Sequence, residues 1–301
     1  MNKIIILIII YVSYQSSLYS QITVIDKSSK KTIPFVNIQY TQNSKLLLGE
    51  YSNEIGQFIL DKNPNFDRLI ISCMGYNTIK LKRDEVLDTI FLVPKVYKLN
   101  DITLTPNKPL KLGFFEKNKK SQDIGVSNGL EIATFIKNPL EKEMLVQKFR
   151  FVIQKKQKDT IRFRIHVYSK KTLKKYSTPN IEISLTNNIF KIPPRTKGLY
   201  EIDITELNIF LPSEGAYFSI EGLDGISLQE KSILKKTHNN LIIKTTQSEE
   251  AIFCKRNFKD GVGWVDWNKW IQDNYEQTFN RKYDVKQLFV PMFGIEVKQF
   301  E

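Results

Sequence analysis

Cysteine and histidine are scarce in this sequence, with two of each in 301 residues. That excludes a disulfide-stapled scaffold and any multi-thiolate zinc module, and it leaves no histidine-rich metal site. Also missing is any apolar run of the ~20 residues that a membrane-spanning helix requires. With 41% hydrophobic and 12% aromatic residues, including 19 Phe and 13 Tyr, the chain can bury real cores, so wholesale disorder is excluded. Its length suits about two domains.

The first 20 residues stand apart. Lys3 precedes an unbroken apolar run from Ile4 to Val12, and small and polar residues follow up to Ser20, before Gln21. A charged start, a short apolar middle and a small-residue end are the marks of a secretory signal. The competing reading, a retained anchor helix, meets the objection that the run is too short to cross ~30 Å of hydrocarbon. No cysteine follows for a lipid anchor. The expectation is an exported chain, periplasmic or associated with the outer membrane, or secreted.

Lys+Arg 45 against Asp+Glu 32 gives a formal net charge of +13. Basic pairs such as Lys30-Lys31, Lys119-Lys120, Lys170-Lys171 and Lys174-Lys175 are scattered along the whole chain. They suit a polyanion or an anionic membrane surface, or simply a solvated lysine-rich exterior. The second reading is preferred, because no single basic stripe with interleaved aromatics appears. No nucleic-acid partner is expected of an exported chain.

From Ile22 to Leu92, short apolar runs alternate with turn residues at roughly 8–12-residue spacing, the pattern of an antiparallel β-sandwich. Three blocks occur in order: Ile33-Pro34-Phe35-Val36-Asn37-Ile38, Asn53-Glu54-Ile55-Gly56-Gln57-Phe58, and Ile71-Ser72-Cys73-Met74-Gly75-Tyr76. On these blocks the region resembles the carboxypeptidase regulatory-like domain, a transthyretin-like β-sandwich of exported Bacteroidetes cell-envelope proteins. One departure is that Tyr51-Ser52 stand where that family usually has Thr-Asp. The resemblance implies an accessory sandwich and no peptidase activity. Gly56 suits a turn position with positive φ, after which Phe58 re-enters the core.

Pro94, Pro106 and Pro109 mark a stiff, weakly patterned segment. Leu99–Thr105 resembles the stretch that follows this domain in TonB-dependent receptors, but about 190 residues remain, without the ~10-residue lipid-facing strands of a barrel. From Gly129 the strand pattern resumes. Phe149, Phe151 and Ile153 alternate with Lys148, Arg150 and Val152, and Phe163, Ile165 and Val167 with Arg162, Arg164 and His166. Trp267–Tyr275 suits one or two helical turns. The expected class is all-β, with a signal peptide over residues 1–20, the first sandwich over 21–105, a linker over 106–128 and a second, jelly-roll-like sandwich over 129–301. The block order of the second sandwich loosely resembles a domain of some flavobacterial proteins of unknown function.

Catalysis finds little support. Neither His166 nor His238 has a Glu at zinc-site helical spacing, and no Gly-x-Ser-x-Gly turn is present. Glu141/Glu143 and Glu249/Glu250 lie in polar connections, where solvated surface is the plainer reading. Cys73 and Cys254 sit in apolar runs, as separate buried thiols or as one bridge. No cofactor or metal is expected. Two ligand-binding candidates stand against structural alternatives. Arg162, Arg164 and His166, with Tyr168, share one strand face, which suits an anion or glycan, a solvated face or a domain contact. Trp264, Trp267 and Trp270 suit a sugar platform, or rings that close one end of the sandwich. Of these, Trp264 is expected to be buried and Trp270 exposed. The expected role is a non-catalytic binding or assembly module of the cell envelope, with an envelope protein or a glycan as partner. The alternatives are a carbohydrate-binding accessory protein and, with least support, an unrecognised hydrolase.

Overall fold

The computed structural model describes residues 21–60, 65–95, 109–115, 123–173, 176–184, 187–224, 240–249, 252–279, 284 and 288–299. The expected signal segment over residues 1–20 and His238 lie outside them. The chain divides into two compact units, Met1–Lys95 and Val96–Glu301.

Among the described residues the first unit has seven strands: β1 (Gln21–Asp26), β2 (Asn37–Gln42), β3 (Lys45–Tyr51), β4 (Gln57–Ile59), β5 (Arg68–Ser72), β6 (Ile79–Lys82) and β7 (Thr89–Leu92). They form two sheets, ordered β4-β1-β7 and β3-β2-β5-β6. The period of two puts Ile22, Val24, Ile38, Tyr40, Leu69, Ile71, Ile90 and Leu92 into one buried core. The sandwich is not wholly antiparallel, because β1 runs parallel to β7. The second strand also starts later than its apolar pattern suggests: Phe35 takes φ 52, which holds residues 34–36 out of the ladder.

The acidic turn is held from within. Asn53 Oδ1 accepts the backbone N–H groups of Ile55 at 3.0 Å and Gln57 at 2.9 Å, and Gly56 has φ +75. A Cβ at position 56 would lie 2.9 Å from the Ile33 carbonyl oxygen and 3.0 Å from its nitrogen. Gly56→Ala is therefore expected to destabilise the first unit by about 1–3 kcal/mol, since strain and clash coincide. Faster amide hydrogen exchange across β1 and β4 would reveal the loss. In the Gly-Tyr block Gly75 has φ 81. The Tyr76 hydroxyl donates to Asp26 Oδ2 at 2.9 Å, tying that bend to the end of β1.

The second unit comprises β8 (Leu110–Gly113), β9 (Asp123–Val126), β10 (Leu130–Ile136), β11 (Met144–Ile153), β12 (Ile161–Leu173), β13 (Tyr176–Glu182), β14 (Ile189–Ile192), β15 (Gly198–Asp203), β16 (Phe210–Leu211), β17 (Ala216–Gly222), β18 (Leu241–Gln247), β19 (Phe253–Asn257), β20 (Val262–Asp266), the helix α1 (Trp267–Phe279), β21 (Phe289–Pro291) and β22 (Phe293–Gln299). One sheet runs β13-β12-β17-β10-β19-β20, with β14 also on β12. The other runs β21-β18-β11-β22-β8, with β9 on β18 and with β15 and β16 on β11. The chain crosses from one sheet to the other repeatedly, and β8, the first described strand of this unit, neighbours β22, the last. This is a jelly-roll-like sandwich. Phe149 and Phe151 of one sheet meet Phe218 and Phe163 of the other, at ring-centroid distances of 6.0 and 5.6 Å. These rings centre the core.

Two expectations are corrected here. The segment 106–128, read as a linker, contains β8 and β9, and both pair inside the second unit. They are short edge strands, whose few alternating residues are easily lost beside prolines. The one or two turns expected at Trp267–Tyr275 are the start of a 13-residue helix. Asp266 caps it, its Oδ1 accepting the Lys269 N–H at 3.1 Å.

Candidate functional site

Strand register assembles a row of charge across the first sheet of the second unit. Arg164 on β12 lies opposite Glu221 on β17. Glu221 lies opposite Glu131 on β10, and Glu131 opposite Arg256 on β19. On these strands Phe163, Ile165, Ile132, Phe218, Ile220 and Phe253 go to the core between the sheets. Alternation then sends Arg164, Glu221, Glu131 and Arg256 to the other face. The row reads plus, minus, minus, plus. Two carboxylates directly opposite each other repel, and the neighbouring residues compensate for it.

His166 is the main compensation. Its Nδ1 lies 2.6 Å from Glu182 Oε1 and its Nε2 2.9 Å from Glu221 Oε2. Arg164 Nη1 donates to the same Glu221 oxygen at 3.1 Å, and its Nε donates to Asn187 Oδ1 at 2.8 Å. Glu131 accepts from Tyr168 Oη at 3.0 Å, from Arg256 Nε at 2.6 Å and from the Ser219 hydroxyl. The His166 and Tyr168 rings stack at 5.8 Å, joining the two halves. Burial is nearly complete at the centre, with Arg164 and Glu221 at 1% exposure and His166 at 4%, while Glu182 and Arg256 at the margin stay partly exposed.

The charges set the protonation states. Burial works to lower the His166 pKa, but Glu131, Glu182 and Glu221 outweigh it and raise it to about 10. Burial likewise works to raise Glu182, yet its contact with His166 leaves it below the usual carboxylate range. With an imidazolium in place, Arg164, His166 and Arg256 balance Glu131, Glu182 and Glu221. A folded pKa above the free value of 6.5 means stability that is full below pH 6.5 and lost as pH rises toward about 10. Wild type is expected to weaken across that window, and His166→Gln to lack this loss while being less stable at pH 6. Lys255, held down to about 8 by burial, titrates there in the opposite sense. It is present in both proteins, so the difference between their denaturant midpoints isolates the imidazole.

The face read from the sequence as an anion or glycan site, a solvated face or a domain contact is closed at Arg164 and His166 by carboxylates of its own sheet. Arg164 is buried against Glu221, its register partner, and His166 against Glu221 and Glu182 of the two neighbouring strands. Arg162, further out, is taken by Asp224, whose carboxylate accepts from Arg162 Nη2 at 2.5 Å and from its backbone N–H at 2.5 Å. The carboxylates that hold this face, Glu131, Glu182 and Glu221 around Arg164, His166, Tyr168 and Arg256, and Asp224 on Arg162, were missed. They are distant in sequence, and only register brings them together. Of the paired acids, Glu141, Glu143 and Glu249 are exposed, as expected, and Glu250 lies outside the described residues.

The tryptophans do not form one platform. Trp264 packs on the network side of the sheet with Tyr168, Tyr217 and Cys254, whereas Trp267 packs against the core between the sheets. Trp264, expected to be buried, is partly exposed. The Arg256 guanidinium lies 4.7 Å over its ring, and Tyr168 meets it edge-on at 5.6 Å. Trp267 stacks on Trp270 at 4.7 Å and 9°, and the Lys255 ammonium sits 2.9 Å from the Trp267 ring centre. Trp270, at 45% exposure, is the open member.

Both cysteines are buried, each as a thiol and not as half of a disulfide. Burial and the nearby Asp266 push the Cys254 thiol well up, and its Sγ donates to the Ser177 carbonyl at 3.2 Å. It is a packed thiol rather than a nucleophile.

Comparison with known proteins extends to part of the chain. No curated protein and no solved structure matches it significantly. Residues 23–104 match the family model of the CarboxypepD_reg-like domain, so the N-terminal part of this chain carries a carboxypeptidase regulatory-like β-sandwich.

Proposed function

We propose that this chain is a non-catalytic binding and assembly module, exported to the cell envelope and acting in the periplasm or at the outer membrane. The observation that carries the reading is the closed charge network. Its imidazole is held by a carboxylate at each nitrogen, its arginines are neutralised, and its carboxylates are filled with donors. Such a cluster stiffens a sheet and offers no group to a reacting substrate. The matched regulatory-like sandwich, a non-catalytic fold, supports the same reading. The lysine-led apolar run before Gln21 supports export. Fractionation of native cells, with N-terminal mass spectrometry, tests it. The expected result is an envelope protein beginning at or within a few residues of Gln21, cross-linked reciprocally to an envelope component. A cytoplasmic protein with Met1 intact would overturn it.

A second reading, carbohydrate binding, is favoured by Trp270 alone, since an exposed indole can stack on a sugar face. A glycan array tests it. Binding abolished by Trp270→Ala, with the stability of the second unit retained, supports the reading, and the absence of any glycan hit removes it.

A further inference from the structure

Beyond the charge network, the same face of the first sheet of the second unit turns apolar. Tyr168 on β12 lies opposite Tyr217 on β17, and Tyr217 lies opposite Phe135 on β10. Two residues past this row, toward one end of the sheet, come Lys170, Gly215 and Lys137. Alternation puts the two lysines on the face of Phe135. Between them, Gly215 has φ +101, and a Cβ there would lie 2.3 Å from the Ile136 carbonyl oxygen, so no side chain fills the middle of the row. A cavity of about 460 Å³ opens at this place. Phe135, Ile252 and Phe114 supply its apolar lining, and Phe135 and Ile252 pack in turn on the cluster of Tyr217 and Cys254. The polar lining is Lys137, Lys170, Glu214 and Ser248. The Lys170 ammonium already stands over the apolar floor, 4.5 Å from the Phe135 ring centre. Among the described residues neither lysine pairs with a carboxylate.

We infer that this cavity binds a fatty monocarboxylate. The aliphatic chain lies on Phe135, Ile252 and Phe114, and the carboxylate is held between the ammonium groups of Lys137 and Lys170. The volume is that of a small-molecule site. Ser248 is the one uncharged polar side chain in the lining. A sugar or a peptide would leave most of its hydroxyl or amide groups without partners here, whereas an alkyl chain has none to satisfy. Glu214, exposed and next to Gly215, sets the charge of the ligand. Two lysines against one glutamate leave one positive charge in the lining, which a single carboxylate cancels and a phosphate dianion exceeds. The inference goes beyond the binding and assembly reading by naming a site and a ligand class, and it depends neither on export nor on Trp270.

Isothermal titration calorimetry of the purified full chain with octanoate, below its micellar range, tests it. One saturable site per chain is expected. Octanol, and octyl phosphate at about pH 8, where it is a dianion, should each bind about fivefold more weakly or worse. Lys137→Gln and Lys170→Gln should each weaken octanoate about fivefold, the scale of one ion pair at a solvent-accessible site. Ile252→Asn should weaken it by at least about fivefold through lost apolar contact, and Glu214→Gln should narrow the preference for octanoate over octyl phosphate. Lys137 is exposed, so its variant keeps the test decisive if the Ile252 variant proves unstable, and an unchanged denaturation midpoint would show that the fold persists. Absence of saturable binding overturns the inference, as does octanol binding as tightly as octanoate. Octanoate binding that survives both lysine substitutions is held elsewhere, as on the apolar run at residues 4–12, and overturns it equally. The N-terminal mass measurement bears on export alone.

Discussion

Glu221→Ala is expected to lower the stability of the second unit by about 3–5 kcal/mol, the cost of leaving buried partner charges uncompensated. Glu221 is 1% exposed, pairs Arg164 and His166 at once, and faces Glu131 across the ladder. Removing it strands a guanidinium and loosens an imidazolium in a site closed to water. The measurement is convenient, because all three tryptophans lie between residues 264 and 270, so their fluorescence follows the second unit alone during denaturation. A double replacement, Glu221→Leu with Arg164→Met, should recover much of the loss, since an apolar pair of similar volume avoids the desolvation cost. A loss below about 1 kcal/mol for Glu221→Ala, the scale of exposed ion pairs, would mean that water reaches the cluster.

Phe149→Ala is expected to cost a similar amount, about 3–5 kcal/mol, for a different reason. The Phe149 side chain is fully buried and meets Phe151, Phe218 and Phe293 at centroid distances of 5.9, 6.0 and 5.3 Å. Truncation opens a cavity at the junction of the two sheets, where rings held by strands on both sides have little room to collapse. Phe149→Leu, which restores most of the volume, should cost far less. This effect should not vary with pH between 6.5 and 10, whereas the cost of losing the His166 charge should. The two mechanisms are therefore separable with one instrument.

Where one face of a strand is apolar, the sequence is readable. The alternation of Phe149, Phe151 and Ile153, and of Phe163, Ile165 and Val167, marks the core face correctly, because the period of two is a local property. The same alternation sorted Arg164, His166 and Tyr168 onto the opposite face but did not tell whether that face is wet. That depends on Glu221, Ser219 and Glu131, whose positions follow from register between strands far apart in the chain. The tryptophans failed as a platform for a related reason. Trp264 ends a strand and Trp267 begins a helix, and the change of period between them throws the side chains to opposite sides of the sheet. Only the residue spacing within α1, which places Trp270 beside Asp273, could be read directly. β8 and β9 were missed because four-residue edge strands carry too little pattern to stand out.

The adjacency of β8 and β22 has a consequence for the order in which the protein can be made. Leu110–Gly113 waits for Phe293–Gln299, and β11 receives one of its neighbours from the same last strand. Every described ladder of the first unit, by contrast, closes within Gln21–Leu92. As the chain is delivered N-terminus first, the N-terminal sandwich can complete itself while the second unit still lacks the strand that joins β8 to β11. Pairing across so long a separation is slow. The second unit therefore stays open until Phe293–Gln299 has emerged, and its half-formed sheet is the part most in need of a chaperone on the way.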